Sequence, residues 1–438
     1  MRDAVTTVER AEEVGGSGKA NVGGVRWTIC AMLFAATTIN YMDRQVISIL
    51  EPTLQHAIGL TQVDYGYIVA GFQAAYAIGV LGAGWLIDRL GTRLGYCLFM
   101  GIWAISAMAH SLANSALEFG IARFSLGLGE SGNFPAAIKT TAEWFPQKER
   151  SLATGLLNSG AAVGAVLAPA LVPWVALHFH SWRPAFLITG GFSTLWILWW
   201  FRYYRKPTEY KKLGRAELEY IQQDAPVAET GRKIPWPRLW GYRQTWAFTI
   251  GKFLTDPIWW FFLFWLPSYF SSRFHLTLAH LGLPLIIVYS ASTVGSICGG
   301  WLPAPFRAMG MPVERARIAA MFVCACCVVP IFTAGSLHSE WTAIALIGLA
   351  TAAHQGWSAN LFTTTSDMFP KTAVASVVGI GTLAGSVGGV LLATSAGWII
   401  HITHSYESLF AVASSAYLLA LLIITMLAPG LKKVEIPA

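Results

Sequence analysis

Six ionisable residues in long apolar blocks of this sequence are strong candidates for a functional site: Asp43, Arg44, Arg123, Glu130, Lys252 and Asp256. An ionisable side chain at the centre of a membrane costs roughly 2.5–3.5 kcal/mol on insertion scales, so each of these residues needs a partner or a function. The planar guanidinium of an Arg binds a carboxylate through two hydrogen bonds, and a carboxyl group can take up and release a proton. Together these residue types predict anion binding linked to proton binding.

The first apolar block carries a polar stripe. Asn40, Arg44 and Ser48 are spaced by four residues and therefore share one face of a helix, with Tyr41 beside it. Asp43 points about 100° away from Arg44 on the same helix. We expect Arg44 to face a water-filled cavity and Asp43 to turn towards the fourth apolar block.

The fourth apolar block brings a second charged pair. Arg123 and Glu130 are two helical turns apart and share a face, and small residues around Glu130 allow another helix to approach closely. Residues 127–132 also read GxGxxG, but no strand or βαβ unit surrounds them, so a dinucleotide site is not indicated.

The charges of these two blocks suggest a coupling mechanism. Asp43, Arg44, Arg123 and Glu130 sum to zero when all are ionised, so two ion pairs would keep an empty site neutral. A proton on Glu130 makes the set positive, and a substrate carboxylate at Arg44 restores neutrality. The alternative is that the four residues form static buried ion pairs that only hold the helices together.

The elements that carry these residues are long and apolar. Of 438 residues, 55% are hydrophobic and 12% are charged, whereas an average soluble domain has roughly 25% charged residues. About 20 residues cross the hydrocarbon core as a helix. The sequence predicts an all-α integral membrane protein with twelve transmembrane helices, at 27–50, 65–87, 95–113, 116–138, 150–176, 184–203, 245–270, 281–303, 315–337, 341–362, 373–398 and 405–428.

The positive charges indicate the orientation in the lipid bilayer. Of the 30 Lys and Arg residues, only Arg183 and Arg273 fall outside the spans on the side opposite the tails and the even-numbered loops. The positive-inside rule then places both termini in the cytoplasm, and we expect the chain in the inner (plasma) membrane. The net charge of +7 is accordingly a topology signal and no nucleic-acid partner is expected.

The chain divides into two similar halves. Phe145-Pro146 recurs as Phe369-Pro370 at an offset of 224 residues, and a parallel repeat of six spans is a transporter architecture with its site between the halves. The predicted parts are a disordered tail at 1–24, an N-terminal half at 25–203, a linker at 204–244, a C-terminal half at 245–430 and a tail at 431–438.

Several strings resemble known families. GWLIDRLGTR at 84–93 resembles the loop 2–3 signature of the major facilitator superfamily, which implies structural or gating roles for Asp88, Arg89, Gly91 and Arg93. NYMDR at 40–44 and RFSLGLGE at 123–130 resemble the anion:cation symporter family. HQGWSAN at 354–360 and KFLTDPIWW at 252–260 resemble bacterial hexuronate transporters. The resemblance implies protonation at Asp43 and Glu130 and a substrate carboxylate at Arg44.

The repeat assigns different tasks to the two halves. At the same offset Glu130 corresponds to His354. The first half therefore has a charged residue at a position where the second half has a neutral hydrogen-bonding group. We expect the second half to read substrate hydroxyls and Trp357 to stack on a sugar ring, although His354 can also be a packing residue. Lys252 and Asp256 either take part or pair with each other on one helix. The predicted substrate-binding set is Tyr41, Arg44, Tyr76, Arg123, His354, Gln355, Trp357 and Asn360.

These observations predict a proton-coupled symporter that imports a sugar-acid anion, with a hexuronate favoured, by alternating access. The alternatives are another organic anion (galactonate, glucarate or an aromatic carboxylate) or a sensor that binds the anion without moving it. No nucleophile–base set or metal-ligand spacing indicates an enzyme, and no cofactor beyond the coupling proton is expected. We assume a monomer.

Overall fold

The computed structural model describes residues 24–210, 213–223 and 236–434. Residues 1–23 of the predicted tail 1–24, residues 435–438 of the predicted tail 431–438 and part of the predicted linker lie outside these ranges. The described helices are α1 Val25–Ile58, α2 Gln62–Leu90, α3 Thr92–Ala109, α4 Ala116–Glu130, α5 Asn133–Trp144, α6 Gln147–His178, α7 Arg183–Tyr203, α8 Arg215–Gln222, α9 Trp236–Leu239, α10 Arg243–Phe274, α11 Leu278–Trp301, α12 Pro303–Ala308, α13 Val313–Val328, α14 Glu340–Met368, α15 Lys371–Thr403 and α16 Glu407–Leu427.

The helices follow the predicted spans, and the fold class is confirmed. Eight of the described helical stretches are long and apolar enough to cross a membrane. The other four predicted spans correspond to α1, α4 with α5, α10 and α14, and they carry the intramembrane charges or the polar residues around His354. These four are less apolar because part of their surface faces polar groups of the protein instead of lipid.

The fourth predicted span is two helices with a break at Ser131 and Gly132. The glycines before the break let α4 lie against α3, since a Cβ atom on Gly129 would be 2.5 Å from the backbone nitrogen of Trp103. The break sets the end of α4, and with it Glu130, deep inside the bundle, where its side chain is fully buried.

The two halves repeat one packing scheme. In the first half α1 packs on α6 and α2 packs on α4; in the second, α10 packs on α15 and α11 packs on α14. Between the halves, α2 meets α15, α6 meets α11, and α1 meets α10. The predicted site residues lie on α1, α2, α4 and α14, with Lys252 and Asp256 on α10.

The linker helix α8 docks on the first half. The Glu217 carboxylate accepts hydrogen bonds from the backbone N–H groups of Val25 and Arg26, at 3.4 and 3.2 Å, and so caps the start of α1. The Arg26 guanidinium binds Glu217 at 3.2 Å and Glu149 of α6 at 2.9 Å. This network ties the starts of α1 and α6 to the linker.

One side of the bundle is closed by bonds between the halves. We call the side where α1 ends and α2 begins the outer side, and the opposite side the inner side. On the outer side the Tyr65 hydroxyl donates to the Phe264 carbonyl at 2.8 Å and Trp398 Nε1 donates to the Tyr67 hydroxyl at 3.1 Å. Ser268 also donates to Glu51. Within the described ranges, the side-chain hydrogen bonds that join the halves all lie on this side.

The contact between α1 and α6 predicts how a substitution acts. A Cβ atom on Gly160 would lie 2.5 Å from the Phe34 carbonyl oxygen, whereas a Cβ atom on Gly155 of the same helix has no neighbour within 4 Å. Gly160→Val should destabilise the protein by about 1–3 kcal/mol, because overpacking forces α1 and α6 apart. Thermal unfolding in detergent measures this. Gly155→Val is the matched control and should melt like the unmodified protein; equal melting of both variants would contradict the close contact.

Candidate functional site

An ion pair between Arg44 and Glu130 lies at the centre of the site. The Nε atom of Arg44, on α1, is 2.5 Å from Oε2 of Glu130, on α4. Arg44 is 1% exposed and Glu130 is fully buried, so this pair is shielded from bulk water. The two residues that the sequence selected for anion and proton binding are therefore direct partners.

Aromatic rings from both halves surround the Arg44 guanidinium. Its Cζ atom lies 4.8–5.5 Å from four ring centroids, those of Tyr41, Phe72, Tyr76 and Trp260. An Arg is weakly hydrated and stacks on aromatic faces, so the rings stabilise the cation without using its hydrogen-bond donors. Trp260 comes from α10 of the second half, so Arg44 is held where the halves meet.

Asp43 faces other helices than we expected. Its Oδ2 atom accepts hydrogen bonds from Trp103 Nε1 of α3, at 2.6 Å, and from Ser193 Oγ of α7, at 3.2 Å. The expectation that it turns towards the fourth span is wrong. The 100° offset from Arg44 gave the angle correctly, but α3 and α7 are the helices on that side of α1.

Arg123 binds backbone oxygens, with Nη2 2.7 Å from the Arg44 carbonyl and Nη1 3.4 Å from the Asp43 carbonyl. The expectation of two side-chain ion pairs is therefore wrong, because only Arg44 and Glu130 form one within this set of four. Arg123 is fully buried and its guanidinium lies 4.5 Å from the ring centroid of Phe72. It fixes the α1 backbone next to Arg44.

Several buried polar atoms around the pair have no hydrogen-bond partner in the described part of the chain. They include Nη2 of Arg44, Oε1 of Glu130 and both amide atoms of Asn40 and of Gln73. Buried polar groups are normally hydrogen-bonded, and an unsatisfied one costs about 1–3 kcal/mol. Such a concentration suits a place where a polar substrate or water supplies the missing bonds. Sequence reasoning missed Gln73, although it stands one turn before Tyr76 in an apolar span.

The second half contributes a histidine that is hydrogen-bonded to a tyrosine, and a lysine that is paired with an aspartate. His354 Nδ1 lies 2.6 Å from the Tyr417 hydroxyl, and its ring stacks on Trp259 with centroids 5.3 Å apart. Lys252 Nζ lies 2.6 Å from Asp256 Oδ2, so these two residues do pair on one helix. Trp259 and Tyr417 were not among the predicted site residues.

Three other predicted residues on α14 have different surroundings. Asn360 Nδ2 donates to the carbonyl oxygens of Gly299 and Gly356 at 2.7 and 2.9 Å, which ties α14 to α11. The Trp357 ring is fully buried and meets Tyr417 edge to face, whereas Gln355 is half-buried. Their roles in reading a substrate remain predictions.

The residues of the loop signature hold helix ends together on the inner side. Asp88 pairs with Lys139 of α5 at 2.7 Å. Gly91 ends α2 with a φ of 78°, a conformation that favours glycine. Arg93 lies over the Phe201 ring at 4.3 Å and donates to its carbonyl, and Arg89 lies over Trp85.

A cavity of about 310 Å³ begins at Tyr76 and extends between α2 and α15. Its lining residues are Tyr76, Ala77, Val80, Leu81, Gly379, Thr382, Leu383 and Ser386. Since α2 runs from the outer to the inner side, the cavity extends towards the inner side from Tyr76, whose ring lies against the Arg44 guanidinium.

Comparison with known proteins gives consistent matches. Residues 33–393 match the model of the Major Facilitator Superfamily. The chain is 32% identical over 407 residues to the hexuronate transporter of Escherichia coli (strain K12), covering 92% of this chain and 94% of that protein. It is 35% identical over 289 residues to the galacturonate transporter of Dickeya chrysanthemi, covering 65% and 84%.

Solved structures show the same fold at low sequence identity. The D-xylose–proton symporter superposes with a TM-score of 0.72 at 16% identity, covering 93% of this chain and 99% of that one. A bacterial homologue of the human lysosomal transporter Spinster, inward-facing and occupied, gives 0.70 at 16% identity, covering 93% and 96%.

The buried pair predicts a stability effect. Arg44→Ala leaves the Glu130 carboxylate buried without its counter-charge, which should cost about 3–5 kcal/mol. Thermal unfolding should be followed at alkaline pH, where Glu130 cannot escape by binding a proton. Arg44→Ala combined with Glu130→Gln should regain much of the lost stability. A single variant that melts like the unmodified protein would show that the pair is not formed.

Proposed function

Since the chain belongs to the Major Facilitator Superfamily and is a multi-pass membrane transporter rather than an enzyme, we propose that it imports a sugar-acid anion together with protons. The observation that carries this proposal is the Arg44–Glu130 pair, a binding cation and a protonatable acid in direct contact at the meeting point of the two halves. We place the chain in a bacterial inner membrane with both termini in the cytoplasm.

A hexuronate is the proposed substrate. Two of the relatives are named as hexuronate and galacturonate transporters. Arg44 offers a planar guanidinium with an unpartnered Nη2 for the carboxylate, and His354 with Tyr417 offers hydrogen bonds on the side of the second half. Galactonate is a second candidate, since a D-galactonate transporter of Escherichia coli O6:H1 is 26% identical over 394 residues. A non-transporting sensor has no support among these relatives.

The coupling follows from competition for one guanidinium. An ionised Glu130 occupies Nε of Arg44, the side on which a bidentate substrate carboxylate would bind. A proton that moves from water to Glu130 turns the carboxylate into a neutral acid and releases that donor. The substrate carboxylate then takes its place and restores charge neutrality. Asp43 is the second proposed proton site, and its Oδ1 has no partner among the described residues.

Transport proceeds by alternating access of the central site. The outer side is closed by bonds between the halves, while the cavity beside Tyr76 leads inwards. In this conformation a substrate released from Arg44 would leave towards the inner side. Separation of the halves on the outer side would return the site to external substrate and protons.

The first test is uptake of labelled galacturonate by cells that produce this protein. We expect uptake against the gradient that collapses when a protonophore is added. Uptake that the protonophore leaves unchanged would disprove proton coupling. No uptake, with the protein shown to be in the membrane, would disprove galacturonate as the substrate and direct the search to galactonate and related anions.

A second test removes the proposed coupling proton. Glu130→Gln should retain exchange of labelled for unlabelled substrate but lose accumulation driven by a pH gradient, because the neutral amide never binds or releases a proton. Exchange and net uptake in proteoliposomes measure the two activities separately. The matched control is Glu118→Gln, an exposed acid at the start of the same helix, which should transport normally. Accumulation driven by a pH gradient in the Glu130→Gln variant would disprove proton coupling through Glu130.

A further inference from the structure

A second buried acid, remote from the central pair, lies at the outer end of α1. Glu51 is fully buried and the described residues give its carboxylate no ion-pair partner. Its hydrogen bonds come from neutral donors: the Ser268 hydroxyl and the side-chain amides of Gln55 and Gln62, the last at 2.9 Å. An acid in this setting differs from Glu130, which has a cation beside it.

Glu51 lies on the seam between the halves. Gln55 and Gln62 belong to the first half, at the end of α1 and the start of α2, whereas Ser268 belongs to α10 of the second half. The bond from Ser268 must break whenever α1 and α10 separate on the outer side. The Ser268 bond therefore covers the Glu51 carboxylate in the closed arrangement, and the carboxylate becomes more accessible when the halves separate.

A cavity beside Glu51 offers a path for external water. A cavity of about 530 Å³ on the outer side is lined by Glu51, Gln62 and Ser268, together with three imidazoles. The titratable groups near Glu51 are His56 on its own helix, Tyr65 of α2, His401 and His404 at the end of α15, and Tyr406 before α16. No guanidinium or ammonium group is among the residues that line this cavity.

The energetics favour a neutral Glu51 in the closed seam. Burying an ionised carboxylate without a counter-charge is strongly unfavourable, and neutral donors offset only part of that penalty. The surroundings also offer an acceptor, because Oε1 of Gln62 is buried without a hydrogen-bond partner in the described ranges. A carboxylic acid at Glu51 supplies the O–H donor that this amide oxygen lacks once the side chain rotates.

We propose that Glu51 is a proton-binding site of the outer seam, which takes a proton from external water while the seam is open and is sealed as a neutral acid when it closes. The step moves one proton from a water-borne donor to a carboxylate oxygen, forms one O–H bond and removes one negative charge. External acid thus promotes closure of the outer side. The proposal rests on alternating access, but it does not depend on the identity of the substrate.

Spin-label distances between the outer ends of the two halves test this. Labels at cysteines placed at Leu117 and Trp341, both exposed, report opening in a background without the six native cysteines. In lipid vesicles without substrate, the ratio of closed to open protein should rise on acidification, by up to about tenfold per pH unit for one titrating group. Distances are read directly, so the chemical reactivity of a label does not enter.

Glu51→Gln mimics the protonated acid. It should be largely closed already at neutral pH and respond much less to acidification, whereas Glu407→Gln, which neutralises an exposed acid at the outer start of α16, should keep the response. A Glu51→Gln variant that still closes on acidification as much as the unmodified protein would overturn the proposal. Ser268→Ala removes the bond across the seam but keeps the acid, so it should be more open at every pH and retain the response. Loss of the response in Ser268→Ala would equally overturn the proposal, even if Glu51→Gln failed to fold.

Because no substrate is added, these distances separate the proposal from the proposed function. Failure to transport galacturonate would leave the expected response at Glu51 unchanged. A flat response in the unmodified chain, with proton-driven uptake intact, would disprove the role of Glu51 alone.

Discussion

The site depends on the cost of keeping charge inside an apolar bundle. Arg44 and Glu130 offset each other's charge at 2.5 Å, so a proton on Glu130 leaves Arg44 without a counter-charge until an anion binds. The break between α4 and α5, the close approach of α4 to α3 and the backbone contacts of Arg123 all serve to hold this pair in one place. A site of this kind responds to a proton or an anion with a change in electrostatic balance, and a transporter can convert that change into movement of its halves.

Sequence reasoning predicted the helices well because the membrane limits the choice of structure. Backbone groups in lipid must be satisfied internally, so long apolar blocks become helices, and helical periodicity then gave the shared face of Arg123 and Glu130. Helical periodicity could not predict which side chains of other helices these residues contact. The angle between Asp43 and Arg44 around α1 was predicted correctly. Only the positions of α3 and α7 show that Trp103 and Ser193 donate hydrogen bonds to the Asp43 carboxylate.

Two omissions have specific causes. The first predicted span ended at residue 50, one position before Glu51, whereas α1 continues through Pro52 to Ile58. Glu51 therefore fell outside the predicted spans and was not among the ionisable residues singled out from the sequence. Trp259 and Trp260 were noted only as part of a family string, because nothing in one sequence indicates that a ring of the second half will lie against Arg44 of the first.

The contact of α2 with α15 bears on leakage. A Cβ atom on Gly66 would lie 2.8 Å from the Ala393 carbonyl and 3.1 Å from Cα of Gly397, so the two helices touch backbone to backbone near the outer end. Side chains packed against each other leave crevices that open as rotamers change, and a single file of water in such a crevice conducts protons. Backbone atoms have no rotamers. The glycine contact therefore blocks proton leakage between α2 and α15 at this crossing. Such a seal matters most when the coupling ion is a proton.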